Sequence, residues 1–180
     1  MASPDLLALQ RRLRFRYELS RARLALLGVV PVAVLVAVAA TLAHRPESTL
    51  WFGAATVTAG ATLLWYGREP QRAVLPGILA GIVPLALALC ANNMHACGPG
   101  GCSSWCVEAC TAGGVIAGLS VAIVGNQRRA GGWYWLSASS LALLTGGMGC
   151  MCVGFSGLIG LGLGFVGGVV PGLIRRLRAA

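Results

Sequence analysis

The chain has 180 residues, 57% of them hydrophobic and only 11% charged, with a mean hydropathy of +0.77. Ordinary soluble domains are roughly 25% charged, so a water-solvated fold would lack the polar side chains to cover its apolar ones. The net charge of +9 invites a nucleic-acid reading, but no nucleic acid is expected as a partner: every basic residue is Arg, and the arginines stand in short clusters between long apolar runs. That is where membrane topology puts them.

Residues 1–23 form a basic lead-in. Ser3-Pro4-Asp5 reads as a helix start, with a Ser cap, Pro in the first turn and an acid at the positive end of the dipole. Leu6, Leu7, Leu9, Leu13 and Tyr17 recur at roughly helical spacing, with Arg11, Arg12, Arg14 and Arg16 among them. A basic amphipathic helix of this kind contacts anionic lipid or docks a cytoplasmic protein partner.

A membrane-spanning helix needs about 20 mostly apolar residues. The first such run is Leu24 to Ala43. It exceeds the roughly 7 to 15 residues of a signal-peptide core, and Thr41-Leu42-Ala43 is a weak cleavage site, so it is expected to stay as a span. Thr49 to Tyr66, Ala73 to Ala91 and Val107 to Gly125 follow. From Gly131 to Ile174 there is no charge. That stretch suits two helices, Gly132 to Thr145 and Val153 to Leu173, reversing at Gly146-Gly147-Met148-Gly149, since consecutive glycines favour a turn. Residues 24–174 thus read as a transmembrane domain, and 175–180, with Arg175, Arg176 and Arg178, as a basic cytoplasmic tail.

The expected fold is an all-α integral membrane bundle of about six spans. The arginine bias sets its orientation. With both termini cytoplasmic, thirteen arginines lie inside and only Arg45 outside. A bacterial cytoplasmic (inner) membrane is the expected location, and the absence of Lys fits a GC-rich genome.

Lipid supplies no hydrophobic force between helices, so small residues must let backbones approach. Gly77 and Gly81, Gly114 and Gly118, and Gly160, Gly164 and Gly168 have that spacing and are expected to pack helices. Gly28-Val29-Val30-Pro31 and Gly81-Ile82-Val83-Pro84 hint at duplicated hairpins, whereas Gly168-Val169-Val170-Pro171 runs the opposite way and leaves chance in a biased composition as the alternative. No Asp, Glu, Lys, Arg or His lies mid-span, which argues against a proton-coupled pump. Trp51, Trp65, Trp105, Trp133 and Trp135 stand near span ends and read as an aromatic belt.

The remaining chemistry is sulfur. Seven cysteines occur. Cys90, Cys97, Cys102, Cys106 and Cys110 fall at the outer end of the third run, in an outer loop at 91–110 and at the start of the fourth run. Cys150 and Cys152 fall in the outer turn at 146–152. Met94, His95, Met148 and Met151 accompany them as further soft ligands. Both clusters face the extracytoplasmic side on this topology and are expected to meet there.

Three chemistries suit such a cluster. An oxidising compartment favours disulfides. Cys102, Cys106 and Cys110, at i, i+4 and i+8, form one stripe if helical, able to face Cys97, Cys150 and Cys152 and leave Cys90 buried. Thiolate, thioether and imidazole ligands suit Cu(I) or Zn, although no Cys-x-x-Cys pair is present. Thiol–disulfide exchange with a membrane electron acceptor is the third, with Cys150 and Cys152 as its pair. Glu108 is the one acid near the stripe and is expected to cap its helix.

In architecture the arrangement resembles small six-span bacterial membrane regulators such as membrane-bound anti-sigma factors. That resemblance implies an outward sensing face and a short cytoplasmic binding segment. The leading expectation is a non-enzymatic membrane sensor/regulator or accessory subunit with a disulfide-bonded or soft-metal-responsive cysteine face. The alternatives are a small carrier or channel for a soft metal (Cu, Zn or Hg type) and a membrane thiol–disulfide oxidoreductase.

Overall fold

A computed structural model describes residues 4–42, 46–66, 68–93, 97–98, 101–102, 104–151 and 154–179. Among these, six helices and one minimal hairpin appear: α1 (Pro4–Leu42), α2 (Pro46–Tyr66), α3 (Arg68–Asn93), β1 (Cys97–Gly98), β2 (Gly101–Cys102), α4 (Ser104–Gln127), α5 (Gly132–Cys150) and α6 (Phe155–Ala179). Pro4 and Pro46 open their helices, where a missing N–H costs nothing.

Three helices contain stretches long and apolar enough to cross a membrane: Pro70–Ala91 in α3, Cys106–Gln127 in α4 and Phe155–Arg176 in α6, each of 22 residues. At 1.5 Å per residue each spans about 33 Å, against a hydrocarbon core of about 30 Å. Their outward faces carry exposed Leu79, Ile116, Ile123, Ile159, Leu163 and Val166, which is the surface lipid requires.

Two helix pairs form the centre, α3 with α5 and α4 with α6. Both are close backbone contacts made by glycines. A Cβ on Gly77 would lie 2.8 Å from the Ala138 carbonyl oxygen, and one on Gly81 would lie 2.7 Å from that of Ala142. On the other pair, Gly114 and Gly118 face the backbone of Leu161 and Phe165, while Gly164 and Gly168 face the Thr111 and Val115 carbonyls. Gly160 faces the Thr111 hydroxyl. The α4 and α6 ridges therefore interlock with one another. Pro84 joins the two pairs: it is buried, and both Gly113 and Gly146 abut it.

Each central pair runs parallel, α3 with α5 and α4 with α6, while α4 returns antiparallel to α3, so the bundle has two distinct ends. Thr49 donates to the Met148 carbonyl at 3.5 Å, and Ala39, Leu85 and Met148 pack together. These contacts gather the end of α1, the start of α2 and the ends of α3 and α5. At the opposite end, Arg128 Nη1 donates to the Arg72 carbonyl at 3.3 Å and Asn126 donates to the Gly172 carbonyl at 3.1 Å.

Several sequence expectations are corrected. Gly146, Gly147, Met148 and Gly149 make no turn: α5 runs through them to Cys150, and all four are buried. Packing rewards small residues here, since Gly149 sits against Leu85 and Ala88. The reversal follows α5, where Gly154 adopts φ +88° and donates to the Met151 carbonyl at 3.0 Å. Only a residue without Cβ enters that conformation cheaply.

The 91–110 loop is shorter than expected, because α3 extends to Asn93 and α4 begins at Ser104. No backbone break separates residues 4–23 from the first apolar run. α1 is one helix of 39 residues, about 58 Å long and so about twice the hydrocarbon thickness. Likewise 175–179 continues α6. The Gly-Val-Val-Pro and Gly-Ile-Val-Pro sequences sit differently, with Pro84 buried and Pro31 and Pro171 exposed. Trp51, Trp65 and Trp133 are exposed near helix ends, but Trp135 packs over Gly125 in the core.

Candidate functional site: a cysteine end and an arginine end

The cysteines are placed by helix ends. On α4 the i, i+4 spacing turns Cys106 and Cys110 toward the same interior face, and both are buried. Glu108 stands between them in sequence and is exposed, because an offset of two residues is nearly opposite on a helix. It therefore lies away from the thiols. Cys150 ends α5 and is buried with Cys110, Ala88 and Leu161 in one cluster. The Cys110 and Cys150 thiols are in hydrogen-bonding contact. Apolar neighbours and burial remove both from solvent.

Cys102 is not part of the α4 stripe. It lies in β2, directly opposite Cys97 of β1 in an antiparallel register, with Gly98 opposite Gly101. Opposed residues of an antiparallel pair have Cα atoms about 4.5–5.5 Å apart, which falls inside the roughly 4.4–6.8 Å that a disulfide spans. The segment 98–101 is Gly-Pro-Gly-Gly, a composition that favours tight reversal. The hairpin thus places Cys97 and Cys102 opposite one another in register. Cys90 is exposed near the end of α3, where the sequence suggested burial.

The soft ligands divide similarly. Met148 is fully buried between Ala39 and Leu85 and serves as core. Met151 is half-buried where α5 ends. Met94, His95 and Cys152 lie outside the described residues. Among the described residues, no group of three His, Cys, Asp or Glu side chains converges as a metal site would require.

The opposite end carries a feature that spacing alone did not announce. Arg72 stands in the second turn of α3, and Arg128 and Arg129 follow α4; with Ala130, Gly131 and Tyr134 they line a cavity of about 510 Å³. An adjoining cavity of about 460 Å³ shares Arg72 and Arg128 and is completed by Gln71, Leu75 and Pro76. The three arginines are exposed and Tyr134 is 3% exposed. Sequence reading treats these arginines as topology signals. Their distance along the chain hides that α3 and the α4–α5 connection meet.

The helix end that presents them is a Schellman motif. Ala130 N–H donates to the Gly125 carbonyl at 3.0 Å and Arg129 N–H to the Asn126 carbonyl at 3.1 Å. Arg129 occupies the left-handed position, φ +46°, where glycine is the usual residue.

Comparison with protein families, curated proteins and solved structures gives no match. The functional reading therefore stands on the chemistry of these two ends.

Proposed function

We propose that the protein is a non-enzymatic, multi-pass membrane sensor or regulator whose extracytoplasmic cysteine end responds to redox state. The observation that carries this reading is the cross-strand register of Cys97 and Cys102. In an oxidising compartment the two thiols lose two protons and pass two electrons to a small-molecule disulfide. That oxidant is reduced to two thiols, and a Cys97–Cys102 sulfur–sulfur bond forms. Reduction by an external dithiol reverses the step. Cys110 and Cys150 are buried with Ala88 and Leu161 and serve as packing.

On this reading all six helices cross the bilayer and both termini are cytoplasmic. Two features support α2 and α5 as spans, although neither is among the three helices long and apolar enough to qualify by themselves. Thr56, Thr58 and Thr62 of α2 return their hydroxyls to carbonyls of their own helix at 2.8–2.9 Å, so these hydroxyls are satisfied without water. α5 buries twelve of its 19 residues against other elements and needs little lipid-facing surface. Alternate crossing also keeps the thirteen arginines on one side.

The output end is the first half of α1. Leu13, Phe15 and Leu19 are exposed there beside exposed Arg12 and Arg16, a mixed basic and apolar surface suited to a cytoplasmic protein partner. Arg11 and Arg14 belong to the same segment.

The test is differential alkylation and mass spectrometry of protein isolated from membranes without reductant. A Cys97–Cys102 bridge that opens with dithiothreitol is expected. Free alkylation of both residues in oxidised membranes would refute it. Stoichiometric copper or zinc, lost on Cys97→Ser, would replace this reading with the soft-metal carrier. Deleting residues 2–20 should abolish capture of the cytoplasmic partner while leaving the bridge intact.

A further inference from the structure

The arginine end of the bundle has the properties of a ligand site. Arg72, Arg128 and Arg129 converge on one cavity from two separate parts of the chain. Arg128 is tethered through Nη1 to the Arg72 carbonyl, which orients its guanidinium and leaves other N–H groups available. The Tyr134 hydroxyl beside them is fully buried and has no hydrogen-bond partner. A buried hydroxyl is ordinarily paired, and one left unpaired asks for an explanation. Three cations and an unpaired hydroxyl on one cavity wall are complementary to a phosphate.

The surroundings select the kind of phosphate. Arg72 lies within the first residues of the α3 apolar stretch, which starts at Pro70, and Arg128 directly follows the α4 stretch, which ends at Gln127. Both guanidinium groups therefore sit at headgroup height if these helices span a bilayer. The adjoining cavity is walled by Leu75 and Pro76, and Leu75 is 67% exposed on the outer face of α3. A soluble phosphate compound gains nothing from that apolar wall. A lipid fills both parts, placing its phosphate among the arginines and the first carbons of its chains along Leu75 and Pro76.

We propose that this cavity binds the phosphodiester headgroup of an anionic phospholipid, with Arg72, Arg128 and Arg129 as its charged contacts and the Tyr134 hydroxyl as an additional donor. Basic pockets between spanning helices are known to recognise such headgroups. Bidentate geometry makes arginine well suited to phosphate. The site rests on the reading of α3 and α4 as membrane spans, and it is independent of the thiol chemistry.

The experiment is native mass spectrometry of the full chain from mixed micelles containing equal phosphatidylglycerol and phosphatidylcholine. Selective retention of phosphatidylglycerol is expected. Arg72→Gln with Arg129→Gln should lower it by about tenfold or more, since a charge-assisted hydrogen bond is worth at least that factor. Tyr134→Phe should lower it by a smaller factor. Arg175→Gln with Arg176→Gln, which keeps the cavity, should leave retention unchanged.

Equal retention by the cavity variant would overturn the site, and so would equal loss in the Arg175 and Arg176 variant, which would indicate a diffuse basic surface. Displacement of the lipid by millimolar inorganic phosphate would overturn the lipid assignment in favour of a soluble anion. Melting curves and gel filtration of each variant report folding. Alkaline extraction of membranes reports insertion separately: a chain that washes off defeats the membrane reading, whereas an inserted chain without phosphatidylglycerol selectivity defeats this proposal alone.

Discussion

The thiols of Cys110 and Cys150 touch where the beginning of α4 meets the end of α5, 40 positions apart in sequence and both completely buried. Ala88 and Leu161 close around them, whereas Cys90 is exposed. One end of the bundle thus holds thiols of very different accessibility.

Impermeant maleimide applied to the folded protein should therefore label Cys90 readily and leave Cys110 and Cys150 unmodified until denaturant is added. Peptide mapping of the adducts checks this. Labelling of Cys110 at the rate of Cys90 would contradict the packing described.

Helix contact makes a sharper distinction between glycines. A Cβ at Gly164 would press on the Thr111 carbonyl, whereas one at Gly162 meets nothing within 4 Å. Gly164→Val should destabilise by at least about 1–3 kcal/mol through overpacking. Gly162→Ala should be neutral or stabilising by up to about 1 kcal/mol, because alanine is the better helix former. Thermal melts in one detergent read both, and equal behaviour of the two variants would sink the interlocked ridge.

Arg129 holds a left-handed backbone at the α4 C-terminus, a conformation that costs a side-chain-bearing residue about 1–2 kcal/mol. Arg129→Gly should raise the melting temperature while weakening retention of anionic phospholipid. Gain in stability with loss of binding is the expected signature of strain kept for a ligand. A variant that melts lower would show that the arginine side chain itself supports the fold.

The Thr145 hydroxyl is buried without a hydrogen-bond partner, beside the close approach of Gly81. Thr145→Val keeps the shape and removes the unpaired oxygen. It should be neutral or stabilising by about 1 kcal/mol. A loss of more than that in a melt would mean the hydroxyl is satisfied in the membrane.

Much of this molecule was readable from local properties. Apolar run length predicts α3, α4 and α6 as helices able to cross a membrane, because the bilayer thickness sets a length that any sequence window can be measured against. Turn chemistry was less reliable. Gly146 to Gly149 read as a reversal, yet they are helical, because Leu85, Ala88 and Pro84 press against positions where no side chain fits. The same residue type serves turning and close packing, and only the neighbour decides which. Trp135 differs from Trp133 for a similar reason: two places along one helix separate the lipid face from the Gly125 contact.

The cysteine end shows the division most clearly. The sequence by itself determined that the chain holds helices apolar enough to cross a membrane, that its arginines stand between apolar runs, and that its sulfur collects near a few helix ends. Those are sums over composition and run length, which do not depend on partners far along the chain. Only the tertiary structure decided that Cys97 opposes Cys102, that Cys110 meets Cys150, and that Arg72 joins Arg128, Arg129 and Tyr134 around one cavity. Such pairings follow from register, helix rotation and backbone approach, and each of these is set by contacts between segments that spacing along one chain does not encode.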